Sequence, residues 1–307
     1  MNEFENDVKS DITRALISRA CCHRALLSGM LWGVRSSNRM FFEDNSCLIG
    51  FDNAPSLKLM CQFIKESYHI QLASRINRKS KKNHFMVHVL HIDRFNQALN
   101  EIGLMNEGLE YLNEVPARII RSNCCRVSFI KGAFLSTGSI RNPNRGYYAE
   151  FRSFDETFLS NLQKLLVRFK ITSHLFYDRS SPVLYIKESD HIVSLLYLLG
   201  AHHDLLKIED IRLIKEIKNE VNRVVNCDAY NTKRTVEAAQ RHIAVIKKAE
   251  RNIGLHNLPQ GIQDVARLRL DHPMASLNEL SQFTKNRVSK STINHRFRQL
   301  EKIANNK

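Results

Sequence analysis

Phe129-Ile130-Lys131-Gly132-Ala133-Phe134-Leu135-Ser136-Thr137-Gly138-Ser139-Ile140 reads as a helix with a stripe of small residues along one face. Gly132 and Ser136 are four apart, so they stack above one another, flanked by apolar Ile130, Phe134 and Leu135. A face without bulk lets a second helix approach backbone to backbone. Gly138 is expected to end the helix at positive φ, the usual C-terminal stop. Asn142-Pro143-Asn144-Arg145-Gly146 then leads to a strand-like run, Tyr147 to Phe151. A close-packing helix of this kind calls for a partner helix.

Sliding the sequence against itself finds one. At an offset of 103 residues, Cys21-Cys22 falls on Cys124-Cys125, Gly29 on Gly132 and Ser36 on Ser139. Phe51-Asp52 falls on Phe154-Asp155, Leu59 on Leu162, Phe63 on Leu166 and Ile64 on Val167. One constant offset over so many positions argues for a duplicated unit; two unrelated helix-then-strand segments are the other reading. On the first reading Gly29, Gly33, Gly132 and Ser136 form the interface between the repeats.

Ile130 to Gly138, with Ser139-Ile140 behind it, resembles the nine-residue helix motif of the LAGLIDADG homing endonucleases. The resemblance implies an α+β fold in which two αββαββα repeats form a saddle, their motif helices packed at a pseudo-twofold axis. It also implies an acidic, metal-binding residue at the eighth motif position. That position is Val34 in the first repeat and Thr137 in the second, and the sixth is Trp32 and Leu135. Hard cations at a scissile phosphate need carboxylates, and there is no Asp or Glu between Arg24 and Phe42 or between Arg126 and Ala149. The expectation is a nuclease-like scaffold with no catalytic residue, no metal and no cofactor. A nuclease drawing ligands from Asp52 and Asp155 is the rival, although an Asp before a helix more often caps it.

With 307 residues, 43% of them hydrophobic, the chain has material for two or three domains. Lys and Arg number 46 against 31 Asp and Glu, a formal net charge of +15. That balance points to a polyanion, nucleic acid first and an anionic membrane second; a merely solubilising surface is the bland reading. The N-terminus, Met1 to Asp7, is acidic and polar, unlike a secretory signal. The most apolar window, Ile192 to Ala201, is far below the roughly 20 residues of a membrane span. No membrane and no small-molecule substrate is expected. The seven cysteines lack the spacing of a structural zinc site and read as reduced, small core residues of a cytosolic protein.

The repeats are placed at 1–105 and 106–208. In the first, a basic stretch containing Arg75, Arg78, Lys79, Lys81 and Lys82 reads as a hairpin tip. It suits phosphate neutralisation or a solvated turn equally. The matching Tyr177 to Pro182 is far less basic, so the saddle is asymmetric in charge. A helical linker at 209–252 follows, read as two helices broken near Asn226 to Asn231, with Ile211, Ile214, Ile217, Val221, Val224 and Val225 packing on neighbours.

Residues 253–307 read as helix, short helix, turn and helix. Leu258-Pro259 opens the first, and Ser276-Leu277-Asn278-Glu279 is a capping box for the second. The third runs from about Ser289 to Ile303, with Ile293, Phe297, Leu300 and Ile303 inward. This is the layout of a helix-turn-helix, whose last helix enters the major groove. An ordinary three-helix bundle with a solvated basic face is the alternative. The DNA-contacting candidates are Ser276, Lys285, Arg287, Ser289, Lys290, Ser291, Thr292, Asn294, His295, Arg296 and Arg298. Asn and Arg can bond base edges, and Lys and Ser phosphates.

A degenerate LAGLIDADG-like double repeat joined to a helix-turn-helix closely resembles the bacterial WhiA family. The resemblance is carried by Gly132 to Ser139, Val221-Asn222-Arg223-Val224-Val225-Asn226-Cys227, Thr235 to Ala239, Ala275 to Leu280, Val288 to Ser291 and Asn294-His295-Arg296. It implies a non-catalytic, nucleoid-associated, cytoplasmic protein that binds double-stranded DNA, with roles in cell division, chromosome segregation and, in some relatives, sporulation. A protein partner on the saddle is a second expectation. The first repeat departs from the pattern at Gly33-Val34-Arg35, which lacks the Gly stop, so its helix is expected to run on or end irregularly.

Overall fold

The computed structural model describes residues 3–15, 19–43, 45–77, 84–179, 181–284 and 288–305, with backbone only for 74–77 and 84. Two compact units emerge, residues 1–213 and 214–307.

The first unit opens with α1 (Glu3–Arg14) and then repeats one sequence of elements. The first pass is α2 (Ala20–Ser36), β1 (Met40–Glu43), β2 (Ser46–Phe51), α3 (Ala54–Tyr68), β3 (Leu72–Asn77), β4 (His84–Val89) and α4 (Ile92–Glu101). The second is α5 (Asn123–Thr137), β5 (Gly138–Ile140), β6 (Ala149–Arg152), α6 (Glu156–Arg168), β7 (His174–Asp178), β8 (Ser181–Ile186) and α7 (Ser189–Leu199). Each pass builds an antiparallel four-stranded sheet, ordered β1-β2-β4-β3 and β5-β6-β8-β7. The αββαββα repeat and α+β class read from the motif helix are therefore the ones the chain adopts.

The α2 and α5 helices are buried along most of their length and meet at their glycines. A Cβ on Gly29 would stand 2.1 Å from the Phe129 carbonyl oxygen, and one on Gly132 2.1 Å from that of Leu26. Leu26 and Phe129 differ by the same 103 residues as Gly29 and Gly132, so this reciprocity is the local twofold itself. Backbone atoms have no rotamer with which to yield. Only glycine permits the approach.

Beyond these helices the single offset fails. The buried residues of α3 (Ser56, Leu57, Met60, Phe63, Ile64) match those of α6 (Phe158, Leu159, Leu162, Leu165, Leu166) at 102. Phe95, Ala98 and Leu99 of α4 match Ile192, Leu195 and Leu196 of α7 at 97. The pairing of Phe51-Asp52 with Phe154-Asp155 is thus out of step: Phe51 is buried in β2, whereas Phe154 is 63% exposed. Phe63 likewise matches Leu165, and Val167 is exposed. Asp155 does cap α6, accepting from the Phe158 amide at 3.1 Å. In the first repeat that role falls to Asn53, which accepts from the Ser56 amide at 2.8 Å, and Asp52 instead pairs with Arg39. Part of the drift is the β3–β4 connection, six residues long (78–83) against two between β7 and β8 (179–180).

The motif helices end differently. Gly138 has φ −75°, in the extended region, so positive φ is not its purpose. A Cβ there would come within 2.4 Å of the Phe134 ring, and glycine lets the chain turn straight from helix into β5. The first helix runs on to Ser36 and turns at Asn38 in the left-handed region, φ 52°. Its two added residues are fastened by the second repeat: the Ser36 carbonyl accepts from the Phe154 amide at 2.7 Å and the Ser153 hydroxyl at 3.2 Å.

One helix of 51 residues, α8 (His202–Asn252), crosses from the first unit into the second. Two helices with a break near Asn226 to Asn231 were expected, but no Gly or Pro interrupts the stretch. Asn lowers helix propensity only slightly, so nothing stops the helix. Ile214, Ile217, Val221, Val224 and Val225 are over half exposed along it and do not pack on neighbours. The second unit adds α9 (Gln260–Asp271), α10 (Leu277–Phe283) and α11 (Lys290–Asn305). Its core joins Ile246 and Ala249 of α8 to Leu258, Ile262, Val265, Leu280, Ile293, Phe297 and Leu300. No helix among the described residues is long and apolar enough to cross a membrane.

Candidate nucleic-acid interface

The C-terminal ends of α2 and α5 are where the resembled endonucleases would hold their acids. Val34 is fully buried, and the Thr137 hydroxyl donates to the Ala133 carbonyl of its own helix at 2.8 Å. Ser136 does likewise toward Gly132 and Ala133, both at 3.1 Å, and a Cβ on Gly33 would strike its hydroxyl. A cation reaches the second helix end: Arg39 donates to the Ser136 carbonyl and, at 2.8 Å, to Asp52. Burial pushes its pKa down and Asp52 pulls it up. Nearby, α1 contributes a buried Glu5–Lys9 pair at 3.0 Å, with Glu5 accepting from Ser139 at 3.1 Å. Burial lowers the Lys9 pKa and Glu5 raises it. These groups line an open cavity of about 980 Å³ with Asp52, Glu150 and Arg152. Its cations and acids are largely paired with each other, and the motif positions offer no carboxylate to a metal.

The basic hairpin contributes little that the structure describes. Arg75 lies in β3 opposite Met86, within the strand rather than at a tip, because pairing continues to Asn77 and His84. Arg78, Lys79, Lys81 and Lys82 lie outside the described residues.

In the second unit, α9, α10 and α11 surround one small core. Ser276 caps α10 in a full capping box: its hydroxyl accepts from the Glu279 amide at 3.2 Å, and the Glu279 carboxylate from the Ser276 amide at 2.6 Å. Hydrogen bonding to the carboxylate from the Ser276 amide, and then from the Ser276 side chain, holds the Glu279 carboxyl below its usual range. Phe283 is 51% exposed and stacks on His272 with ring centroids 4.3 Å apart. The Thr284 side-chain oxygen accepts from the Val288 amide at 2.8 Å. Lys285 and Arg287 fall outside the described residues.

Ser289 opens α11, its oxygen accepting from the Thr292 amide at 3.2 Å and lying 2.7 Å from the Ser291 hydroxyl and 2.9 Å from that of Thr292. Three hydroxyls thus collect at a helix N-terminus, where the dipole and free amides favour an anion. Ser291, His295 and Arg298 follow at helical spacing, all exposed, with Lys290 and Thr292 beside them. Asn294 is half-buried at the edge of this face. Arg296 is not on it: a Cβ on Gly261 would stand 3.0 Å from its guanidinium carbon, so it lies over the start of α9. Three residues separate it from Ile293, which turns it toward the neighbouring helix.

Two residues outside the expected set fix this geometry. Arg269 is 1% exposed and donates to the carbonyls of His272, Pro273 and Ala275, holding the α9–α10 turn. His242 of α8 stacks on Phe297 at 3.8 Å. Burial, then the charges of Arg269 and Arg241, push its pKa down to about 4. No spacing in the sequence marks either one; a cation between apolar Leu268 and Leu270 looks like surface until the turn folds over it.

Residues 126–218 match the model of the WhiA LAGLIDADG-like domain, and residues 221–304 that of the WhiA C-terminal HTH domain. A protein of Caldicellulosiruptor bescii named "Probable cell division protein WhiA" is 34% identical over 98% of this chain and 94% of its own. A protein of the same name from Clostridium botulinum is 37% identical over 82% of each chain. The crystal structure of full-length DUF199/WhiA from Thermatoga maritima superposes with a TM-score of 0.58 at 23% identity, covering 99% of this chain and 98% of that one, and so shares the fold. Two domain matches in the right order, with identity above 30% over nearly the whole length, agree with the architecture: the chain belongs to the WhiA family.

Proposed function

We propose that this protein is a non-catalytic, sequence-specific DNA-binding regulator acting in cell division and chromosome segregation, with its affinity centred on α11. The observation that carries the reading is the N-terminal half of that helix. Hydroxyls of Ser289, Ser291 and Thr292 sit at its positive end, followed by exposed His295 and Arg298, over a core that fixes its orientation. Hydroxyls and Lys290 suit phosphates, and Asn294 and Arg298 suit base edges. Absence of catalysis is supported by Arg39 and Thr137, which leave no anionic cage at the motif-helix ends.

A protein partner on the saddle is a second reading, favoured by exposed aromatics on its outer strands. Phe41 of β1 is 50% exposed and Tyr177 of β7 58%, groups better suited to a protein surface than to phosphates. The test of the first reading is binding of full-length protein to genomic DNA fragments across a salt series with Mg²⁺ present. Affinity should fall steeply with salt and the DNA should stay intact. Binding that ignores salt, or any cleavage, rejects it.

A further inference from the structure

Four sulfurs meet at the other end of the motif helices. The Sγ atoms of Cys21, Cys22, Cys124 and Cys125 all lie within 4.8 Å of one another. Each pair sits in the first turn of its helix, α2 or α5, and the pairs are related by the same 103-residue offset as Gly29 and Gly132. Adjacent residues on a helix diverge by about 100°, so neither pair makes a site alone. The local twofold brings the second pair to the first.

We propose that these four thiolates bind one zinc ion, which ties the starts of the two motif helices together. Zinc bound by four cysteines at about 2.3 Å has its sulfurs roughly 3.8 Å apart along each edge of the tetrahedron. A group with no separation above 4.8 Å reaches that by small side-chain movements. An iron–sulfur cluster places several atoms between its thiolates and needs a wider cage. An all-thiolate tetrahedron selects a soft, tetrahedral ion.

The surroundings suit the charge of such a centre, a dication with four thiolates. Both helix N-termini direct their positive ends at it. Arg19 Nη1 lies 4.0 Å from Cys124 Sγ, and the half-buried Lys131 ammonium feels the Cys22 sulfur. The Ser122 hydroxyl, which caps α5, lies 3.1 Å from Cys124 Sγ and 3.0 Å from Cys125 Sγ and orients both. That contact, first among several, draws the Cys124 thiol down to about 7. Burial pushes the Cys22 thiol up to about 12, the opposite sense, which metal coordination overrides by deprotonating the thiol outright. Binding releases those protons to solvent. Cys21 is exposed and Cys124 partly so, which gives an entry path, while Cys22 and Cys125 are buried. Cys21 and Cys227 are therefore not core residues; Cys22, Cys47 and Cys125 are.

The test uses full-length, untagged protein purified with a non-thiol reductant. Elemental analysis should find one zinc per chain. Exchange with Co²⁺ should give the strong visible bands of a tetrahedral site and thiolate-to-cobalt charge transfer in the near ultraviolet. Cys124→Ser/Cys125→Ser should lose both, and Cys47→Ser/Cys61→Ser should keep both. Should the first variant fail to fold, wild-type protein decides: a strong chelator should lower its melting temperature and expose additional reactive thiols, and zinc should reverse this. Substoichiometric metal with an octahedral cobalt spectrum overturns the proposal. So does recovery of a Cys21–Cys124 or Cys22–Cys125 disulfide from anaerobically prepared protein.

Discussion

The saddle and the C-terminal unit use their polar side chains in opposite ways. At the motif-helix ends, hydroxyls and charges are absorbed internally: Thr137 and Ser136 bond their own helix, Arg39 bonds the Ser136 carbonyl and Asp52, and Lys9 bonds Glu5. On α11, His295 and Arg298 are exposed and make no hydrogen bond or ion pair among the described residues. A side chain already satisfied within the fold costs energy to redirect; an exposed one is available to a ligand. The motif helices spend their polar groups within the fold, whereas α11 leaves some of its own exposed. Trp32, the only tryptophan, is fully buried in the saddle, so its fluorescence follows that unit alone, while far-ultraviolet circular dichroism follows both.

The largest expected effect is at the glycine contact. Gly132→Ala should destabilise the saddle by about 3 kcal/mol or more, the upper end for overpacking, because the clash is with the Leu26 carbonyl and the Met30 amide. Gly33→Ala should cost less, since it meets the Ser136 side chain. Urea melts by Trp32 fluorescence measure both, and equal losses would mean the helices slide freely. In the other unit, Arg269→Met should cost about 2–3 kcal/mol by leaving three turn carbonyls without their donor. Its melt should shift by circular dichroism while Trp32 fluorescence stays put. A shift in Trp32 would show that the two units unfold as one.

On α11 the comparison is sharpened by two substitutions measured on DNA. Asn294→Ala should relax preference between sequences by about 1–3 kcal/mol if the residue reads a base edge. Lys290→Ala should weaken all sequences alike and reduce the salt slope by about 1, as loss of a phosphate contact does. Neither change should alter stability by more than about 0.5 kcal/mol. If both leave binding intact, recognition belongs to another face.

These contrasts follow how much could be read in advance. The repeat, both glycine contacts, the capping box of Ser276 and the order of the last three helices were legible because each is a local pattern with a fixed period. The slip from 103 to 102 and 97 was hidden by insertions in loops, which carry no period. The thiol group was missed for a related reason. Its ligands are adjacent in sequence and complete only through the twofold, so no spacing rule marks them. Arg269 and His242 look like ordinary polar residues of two helices, and their burial depends on the turn and on Phe297 folding over them. Arg296 failed by one step of helical phase.

His242 gives the C-terminal unit a pH dependence of definite sign. Its folded pKa, about 4, lies below the ordinary 6.5, so the fold prefers the neutral ring. The unfolded chain takes up the proton first as pH falls. Stability from this group is complete above about 6.5 and is lost between there and 4. The ring is partly exposed, so we expect the loss to be about 1–2 kcal/mol rather than the full value of the shift. His242→Phe keeps the stack on Phe297 and should flatten that part of the profile, read by circular dichroism. An unchanged slope would assign it to carboxylates elsewhere.

The smallest expected effect is none, and it bears hardest on the contrast between the units. Thr137→Asp returns a carboxylate to the eighth motif position, on the cavity that Arg39 also lines. With a guanidinium bonded to the neighbouring Ser136 carbonyl, that carboxylate gains its counter-charge from Arg39 before any Mg²⁺ arrives. A single acid also falls short of the oxygen-rich shell that magnesium requires. Plasmid incubated with the variant and Mg²⁺ should therefore remain uncut, as should plasmid incubated with Thr137→Asp/Arg39→Ala. Cleavage by the double variant alone would identify Arg39 as the group that silences the saddle. Cleavage by the single variant would mean that the motif end is still open to metal, and the inward turn of its polar groups would lose its meaning.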